Sequence, residues 1–169
     1  MDSNIKPDPG IYFKTLHLLE ETFLSPDRRL KEVIGLAQRI KLLFEKISPF
    51  IQQTSGIICP HCTNVCCISK HGFHNYEDLV YIFALGLRPP LVDFGRNDYD
   101  PCPFLTEKGC SMERSVRPSG CNWYFCDPLL EVIEKRQDYH DFDDLMRDLA
   151  ELWMKMIDEF SQISPLPSL

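Results

Sequence analysis

The residues best equipped for chemistry in this chain are eight cysteines, and they are confined. Cys59, Cys62, Cys66 and Cys67 form one group, Cys102, Cys110, Cys121 and Cys126 a second, and none lies before the first or after the last. Eight in 169 residues is short of a disulfide miniprotein and too many for packing alone. The first group reads Cys59-Pro60-His61-Cys62-Thr63-Asn64-Val65-Cys66-Cys67. A C-x2-C turn brings two sulfurs to one metal, and nearby backbone N–H groups lower the thiol pKa towards the metal-binding thiolate. Adjacent side chains diverge, so Cys66 and Cys67 on one small ion would be strained. A larger cluster, or one sulfur on each of two centres, is easier.

In the second group, Cys102-Pro103-Phe104-Leu105, Gly109-Cys110, Arg117-Pro118-Ser119-Gly120-Cys121 and Cys126 set glycine and proline turns around sulfur. Phe104, Trp123, Tyr124 and Phe125 are placed to exclude water, and Arg117 is a candidate N–H donor to anionic sulfur. All eight cysteines are therefore candidate metal ligands. Structural zinc commonly uses two short C-x2-C knuckles, and only one is present. Iron–sulfur clusters accept scattered cysteines, and a Cys-Pro step suits them. The balance tips slightly to a 4Fe–4S-type cluster over zinc, with disulfides or redox thiols as the remaining option. Among the histidines, His61 reads as a surface turn residue, His71 and His74 could supplement a metal, and His17 and His140 look structural.

The elements that must position these residues are mostly helical. Pro7, Pro9 and Gly10 mark residues 1–10 as a lead-in. Ile11 to Leu24 predicts a helix with Phe13, Leu16, Leu19 and Phe23 on one stripe. Ser25-Pro26 predicts a cap for a second helix from Pro26 to about Gln53, which Pro49 kinks or ends and Thr54-Ser55-Gly56 stops. Its apolar face is Leu30, Val33, Ile34, Ala37, Ile40, Phe44, Ile47 and Ile51. Ile68 to Phe73 reads as short and extended. Asn75 with Asp78 forms a weak capping box for an apolar helix from Tyr76 to about Leu87, ended by Arg88-Pro89-Pro90. Residues 91–126 lack periodicity and read as loops and turns that a bound metal would order. Asp127-Pro128 starts one or two further helices, with a break near Tyr139-His140.

The expected fold class is mainly α, with helices packed around an irregular cysteine-rich metal-binding centre. The length suits a single domain over 1–169: lead-in 1–10, N-terminal helices 11–56, cysteine-cluster region 57–126 and acidic C-terminal helices 127–164. Formal net charge is −7, which disfavours nucleic acid as a partner. Asp127 to Glu159 alone holds eleven acidic and four basic residues. That reads first as a solvated face and secondly as a docking face for a basic protein. No apolar signal core opens the chain, and the longest apolar run, Leu79 to Leu85, is too short for a membrane. The expected setting is thus the cytoplasm, where thiols stay reduced. The oligomeric state is not legible.

Residues 57–126 resemble the bacterial cysteine-cluster proteins of YkgJ type, named for a CxxCxxCC motif and described as zinc- or iron-chelating domains. The matching residues are Cys59, Cys62, Cys66 and Cys67, the helix from Asn75 to Leu87, Cys102-Pro103-Phe104-Leu105, Gly109-Cys110-Ser111, and Arg117-Pro118 with Cys121. There are four departures. Three residues separate Cys62 from Cys66, Met112-Glu113 replaces a frequent Ile-Tyr, Asn122 replaces a common Arg, and Cys126 is additional. They bear on the ligand set more than on the family. The resemblance implies a metal-binding protein holding zinc or an iron–sulfur cluster in a structural, redox-sensing or electron-transfer role. It also implies one enzymatic alternative, since flagellin lysine-N-methylases carry a related region and use S-adenosylmethionine. Neither a G-x-G-x-x-G loop nor a G-x-S-x-G elbow accompanies it here. Asp143-Asp144 reads as exposed helix charge rather than a catalytic dyad.

Overall fold

The computed structural model describes residues 7–62, 66–69, 72–97, 100–107 and 109–164. The expectations placed on Thr63, Asn64, Val65, His71 and most of the lead-in lie outside them. The architecture is mainly helical: α1 (Pro9–Leu24), α2 (Leu30–Ile58), α3 (Cys66–Ser69), α4 (Tyr76–Ala84), α5 (Ser119–Trp123), α6 (Asp127–Ile133) and α7 (Tyr139–Ser161). A two-stranded antiparallel hairpin, β1 (Leu105–Thr106) and β2 (Gly109–Cys110), pairs Leu105 with Cys110. Short 3-10 turns lie at Cys59–His61 and Arg114–Val116.

The most extensive pairing is between α2 and α7. On α2 the buried residues include Leu30, Val33, Ala37, Ile40, Phe44, Ile47, Ile51 and Thr54, an alternating three-four spacing. On α7 Phe142, Leu149 and Met156 recur every seven residues. Both helices therefore present a heptad seam. Tyr12 and Leu19 of α1, Leu79 to Ile82 of α4, and Leu129 and Ile133 of α6 complete the core. Phe23 stacks on Phe160 at 5.3 Å, fastening α1 to α7. The inward residue near the start of α1 is Tyr12, while Phe13 is 55% exposed and meets Phe94 edge-on.

Several element ends differ from the sequence expectation, each for a local reason. The first helix starts two residues early, because Asp8 accepts from the Ile11 N–H at 2.9 Å and Pro9 suits a first turn. Pro26 does not open α2. Asp27 instead folds a turn by accepting from the Arg29 backbone and side chain, and the helix begins at Leu30. At its other end α2 runs through Pro49 and past Gly56 to Ile58. Thr54 Oγ1 donates to the Phe50 carbonyl at 3.0 Å and Ser55 Oγ to that of Gln52 at 3.3 Å, so these hydroxyls ride the helix rather than stop it.

Gly86, not the later prolines, ends α4. Its φ of 71° lets Leu87 donate to Ile82 and Gly86 to Phe83, a Schellman closure. The C-terminal region is two helices, with Cys126 rather than Asp127 at the cap position of α6.

Among the described residues no helix is long and apolar enough to cross a membrane. The acidic side chains of α6 and α7 lie at or near the surface. Part of their charge is answered within the protein. Arg147 pairs with Asp143 and Asp144, and Arg136 with Asp138.

Replacing the fully buried Leu149 with Ala should lower unfolding free energy in urea by about 2–5 kcal/mol. The same change at Leu42, 57% exposed on α2, should cost no more than about 0.5 kcal/mol. Equal losses would mean that the seam does not run where described.

Candidate metal centre

All eight cysteines are free thiols, and they come from separate elements. Cys59 follows the last residue of α2 and opens a 3-10 turn, in which the Cys62 N–H donates to the Cys59 carbonyl at 3.2 Å. Cys66 and Cys67 open α3, whose last two residues, Ile68 and Ser69, fall where an extended stretch was expected. Cys126 caps α6, and α6 packs on α2. Phe125, beside Cys126, meets Phe142 edge-on at 5.8 Å, and Phe142 lies 5.7 Å from Phe50 of α2. This aromatic chain holds the Cys126 turn against the last turns of α2.

The other cysteines converge from a different side. The Cys102 N–H donates to the Cys67 carbonyl at 2.7 Å, which ties the start of the hairpin to α3. Leu105 donates to Cys102 at 2.9 Å, and Ser111 to Phe104 at 2.8 Å, so the hairpin carries Cys110 back past Cys102. Cys121 sits in α5, where its N–H reaches the Pro118 carbonyl at 2.8 Å. A Cβ at Gly72 would lie 3.5 Å from Cys102 Sγ and 3.8 Å from Pro118, which brings a fourth segment to the same place.

Three of the thiols show the electrostatic influence of the others. Burial pushes the Cys59 thiol up, followed by the charges of Cys126, Cys62 and Cys66. Burial also raises Cys67, followed by Cys102, Cys110 and then Cys66, with Arg117 opposing. Cys121 is pushed up to about 12 by burial and then by Cys102, Cys67 and Cys110, with Arg117 again opposing. Cys59 and Cys121 are exposed as whole residues. That surface includes backbone, whereas the pKa reports the sulfur, and the sulfur governs metal chemistry. Burial and neighbouring thiols thus disfavour the thiolate at Cys59, Cys67 and Cys121, and a cation is what would reverse this. As it stands, no group of three or more His, Cys, Asp or Glu side chains among the described residues is closed tightly enough to hold a metal ion.

Buried polar contacts give residues 91–126 an order of their own. Arg114, 8% exposed, donates to Asn122 Oδ1, and Asn122 donates back to the Arg114 carbonyl, both at 3.2 Å. His74, 3% exposed, bonds through Nε2 to the Val116 carbonyl at 3.0 Å, and burial lowers its pKa, so it sits there neutral with Nε2 as donor. Asp78 completes the capping box with Asn75, and its other oxygen accepts from the Ser119 N–H at 2.9 Å. That second role was not visible in the sequence, where only the box spacing showed.

Other expectations divide. Arg117 donates Nε to the Met112 carbonyl at 2.9 Å, while its charge favours the thiolates of Cys67 and Cys121. Trp123 meets Trp153 edge-on at 6.2 Å and so anchors to the helical core. Tyr124 is 49% exposed. His61, His17 and His140 are exposed.

Burial raises Asp78 to about 6 from 3.8, opposed by the N–H donors. Its folded pKa is above the unfolded value. The stability this contributes is present below about pH 4 and is lost as pH rises through about 6. Relative to Asp78→Asn, wild-type stability should therefore fall between pH 4 and 7, by up to about 3 kcal/mol. A pH-independent difference would show that the carboxyl is not so buried. Arg117→Gln should slow alkylation of Cys67 and Cys121 by about two- to tenfold at fixed pH through a smaller thiolate fraction, with Cys59 unaffected. Peptide mass spectrometry reads each site, and uniform slowing would remove Arg117 from this role.

No known protein family, curated protein or solved structure matches this chain.

Proposed function

We propose that this is a metal–thiolate protein of YkgJ-like character, holding zinc or an iron–sulfur cluster through Cys59, Cys62, Cys66, Cys67, Cys102, Cys110, Cys121 and Cys126. Its role in this reading is structural and redox-responsive. The observation that carries it is the gathering of thiols from separate elements into crowded sets whose charges oppose one another. Thiols placed for packing alone have no reason to meet this way. A cation relieves the repulsion and converts it into folding energy, because binding to the folded arrangement stabilises it. The arginine charge at Cys67 and Cys121 acts in the same direction, since it favours the anionic form that a metal needs.

Anaerobic purification without a metal-affinity tag, followed by metal analysis and visible absorption, tests the reading. About one or two zinc ions per chain in a colourless protein is one supporting result. Several irons with acid-labile sulfide and a broad band near roughly 400 nm is the other. A folded, metal-free protein whose eight thiols all titrate freely would overturn it.

A further inference from the structure

We propose that the chain pairs with a second copy of itself through the open groove between α2 and α7, about a two-fold axis parallel to the two helices. No thiol takes part, so this goes beyond the metal–thiolate reading and stands or falls separately from it.

The two helices run antiparallel. Lys155 meets Glu32 at 3.4 Å near one end, and Phe142 lies 5.7 Å from Phe50 near the other. Counting turns along both helices from the Glu32–Lys155 pair sets Gly35 level with Leu152, Arg39 with Asp148, Leu42 with Leu145, and Lys46 with Asp141. The spacing alternates three and four on each helix, so each row keeps to one face. These rows form a second seam beside the one that makes the core.

This second seam is open. Arg39, Leu42 and Lys46 on one bank face Asp148, Glu151 and Leu152 on the other across a groove of about 330 Å³. Leu42 is 57% exposed, and a Cβ on Gly35 would meet nothing within 4 Å. Glycine weakens a helix interior, and its own chain makes no use of the space it leaves. Arg39, Lys46, Asp141 and Asp148 are exposed, and none is in an ion pair among the described residues.

Charge selects the occupant. One bank is basic and the other acidic, so the groove is complementary to itself. A symmetric contact through this face has its two-fold axis in the plane of contact. With the axis across the helices, α2 lies on α2 of the second copy, and Arg39 and Lys46 repel each other there. With the axis along the helices, α2 lies on α7 of the second copy at the same level. Arg39 then meets Asp148, Lys46 meets Asp141, Leu42 covers Leu145, and Leu152 enters the space above Gly35. Symmetry makes each contact twice. The contact is short, which places it among weak, transient interfaces. At the dilution of an unfolding titration the chain is a monomer, and Leu42 stays in water.

Sedimentation equilibrium of the reduced full chain over a range of concentrations tests the proposal. Wild type should approach a dimer, less so as salt is raised. Arg39→Glu with Lys46→Glu makes both banks acidic, and Asp141→Lys with Asp148→Lys makes both predominantly basic. Each doubly substituted chain should bind itself at least about tenfold more weakly than wild type does. An equimolar mixture of the two should recover the wild-type affinity to within about threefold. Charges that pair only inside one chain give no recovery on mixing. A variant-free measurement covers the case in which a substituted chain does not fold. Isotope-labelled and unlabelled wild type are mixed and treated with a zero-length carbodiimide cross-linker, which should join Lys46 of one copy to Asp141 of the other. A wild type that stays monomeric up to its solubility limit, a mixture that does not associate, or Lys46–Asp141 links confined to single chains would overturn the pairing and leave the metal–thiolate reading untouched.

Discussion

The seam between α2 and α7 is the constraint on which the other features rest. Ile40, Phe44 and Ile47 on one side, and Leu149 and Met156 on the other, are almost wholly removed from water. Each such side chain contributes about 1.5–3 kcal/mol of transfer free energy, so the pairing has little freedom to slide. Once it is set, the end of α2 is a fixed point in space, and Cys59 with it. The loop before α7 is also fixed, so α6 and Cys126 have one place to go. Trp153 of α7 meets Phe44, Tyr81 and Trp123, and so extends the same packing to α4 and the segment that follows Cys121.

A second layer of control is polar. The irregular centre of the chain is held by a few buried groups whose bonds cross long sequence distances. His74 reaches Val116, and Asp78 reaches Ser119. Arg114 and Asn122 bond each other twice. A buried N–H or carbonyl left unmade costs about 1–3 kcal/mol, so each of these contacts specifies an arrangement as well as stabilising it. Together they put α5 against the start of α4. Asn122 has a specific part in this arrangement. Asn offers both an acceptor to the Arg114 guanidinium and a donor to its carbonyl, a pairing that a second guanidinium could not make.

The thiols are set apart from these polar contacts. Their neighbours are other thiols, and ionising one raises the cost of ionising the next. Hydrophobic packing gains nothing from such crowding. The helices and the buried polar contacts account for the fold without it, and in the proposed reading a bound cation is what the crowding serves. The arginine at 117 fits that view, since its charge lowers the cost of the thiolate at Cys67 and Cys121.

The sequence by itself determined the helical class, the course of α1, α2, α4 and the C-terminal helices, and the identity of the chemically able residues. Those are local properties. Heptad and helical spacing, an Asn75–Asp78 box and eight cysteines are read within a few turns of chain. Helix ends were less legible, because Thr54 and Gly56 carry stop signals that burial and back-bonding to α2 overrule, while Gly86 carries the one that its φ of 71° makes effective. The tertiary structure alone decided that Asp78 also holds Ser119, that Phe13 faces out and Tyr12 in, and which thiols are neighbours. Cys126 follows Cys121 by five residues in sequence but keeps company with Cys59, because α6 packs on α2. Proximity between segments sixty residues apart depends on how the helical faces close on each other, and no local pattern encodes that.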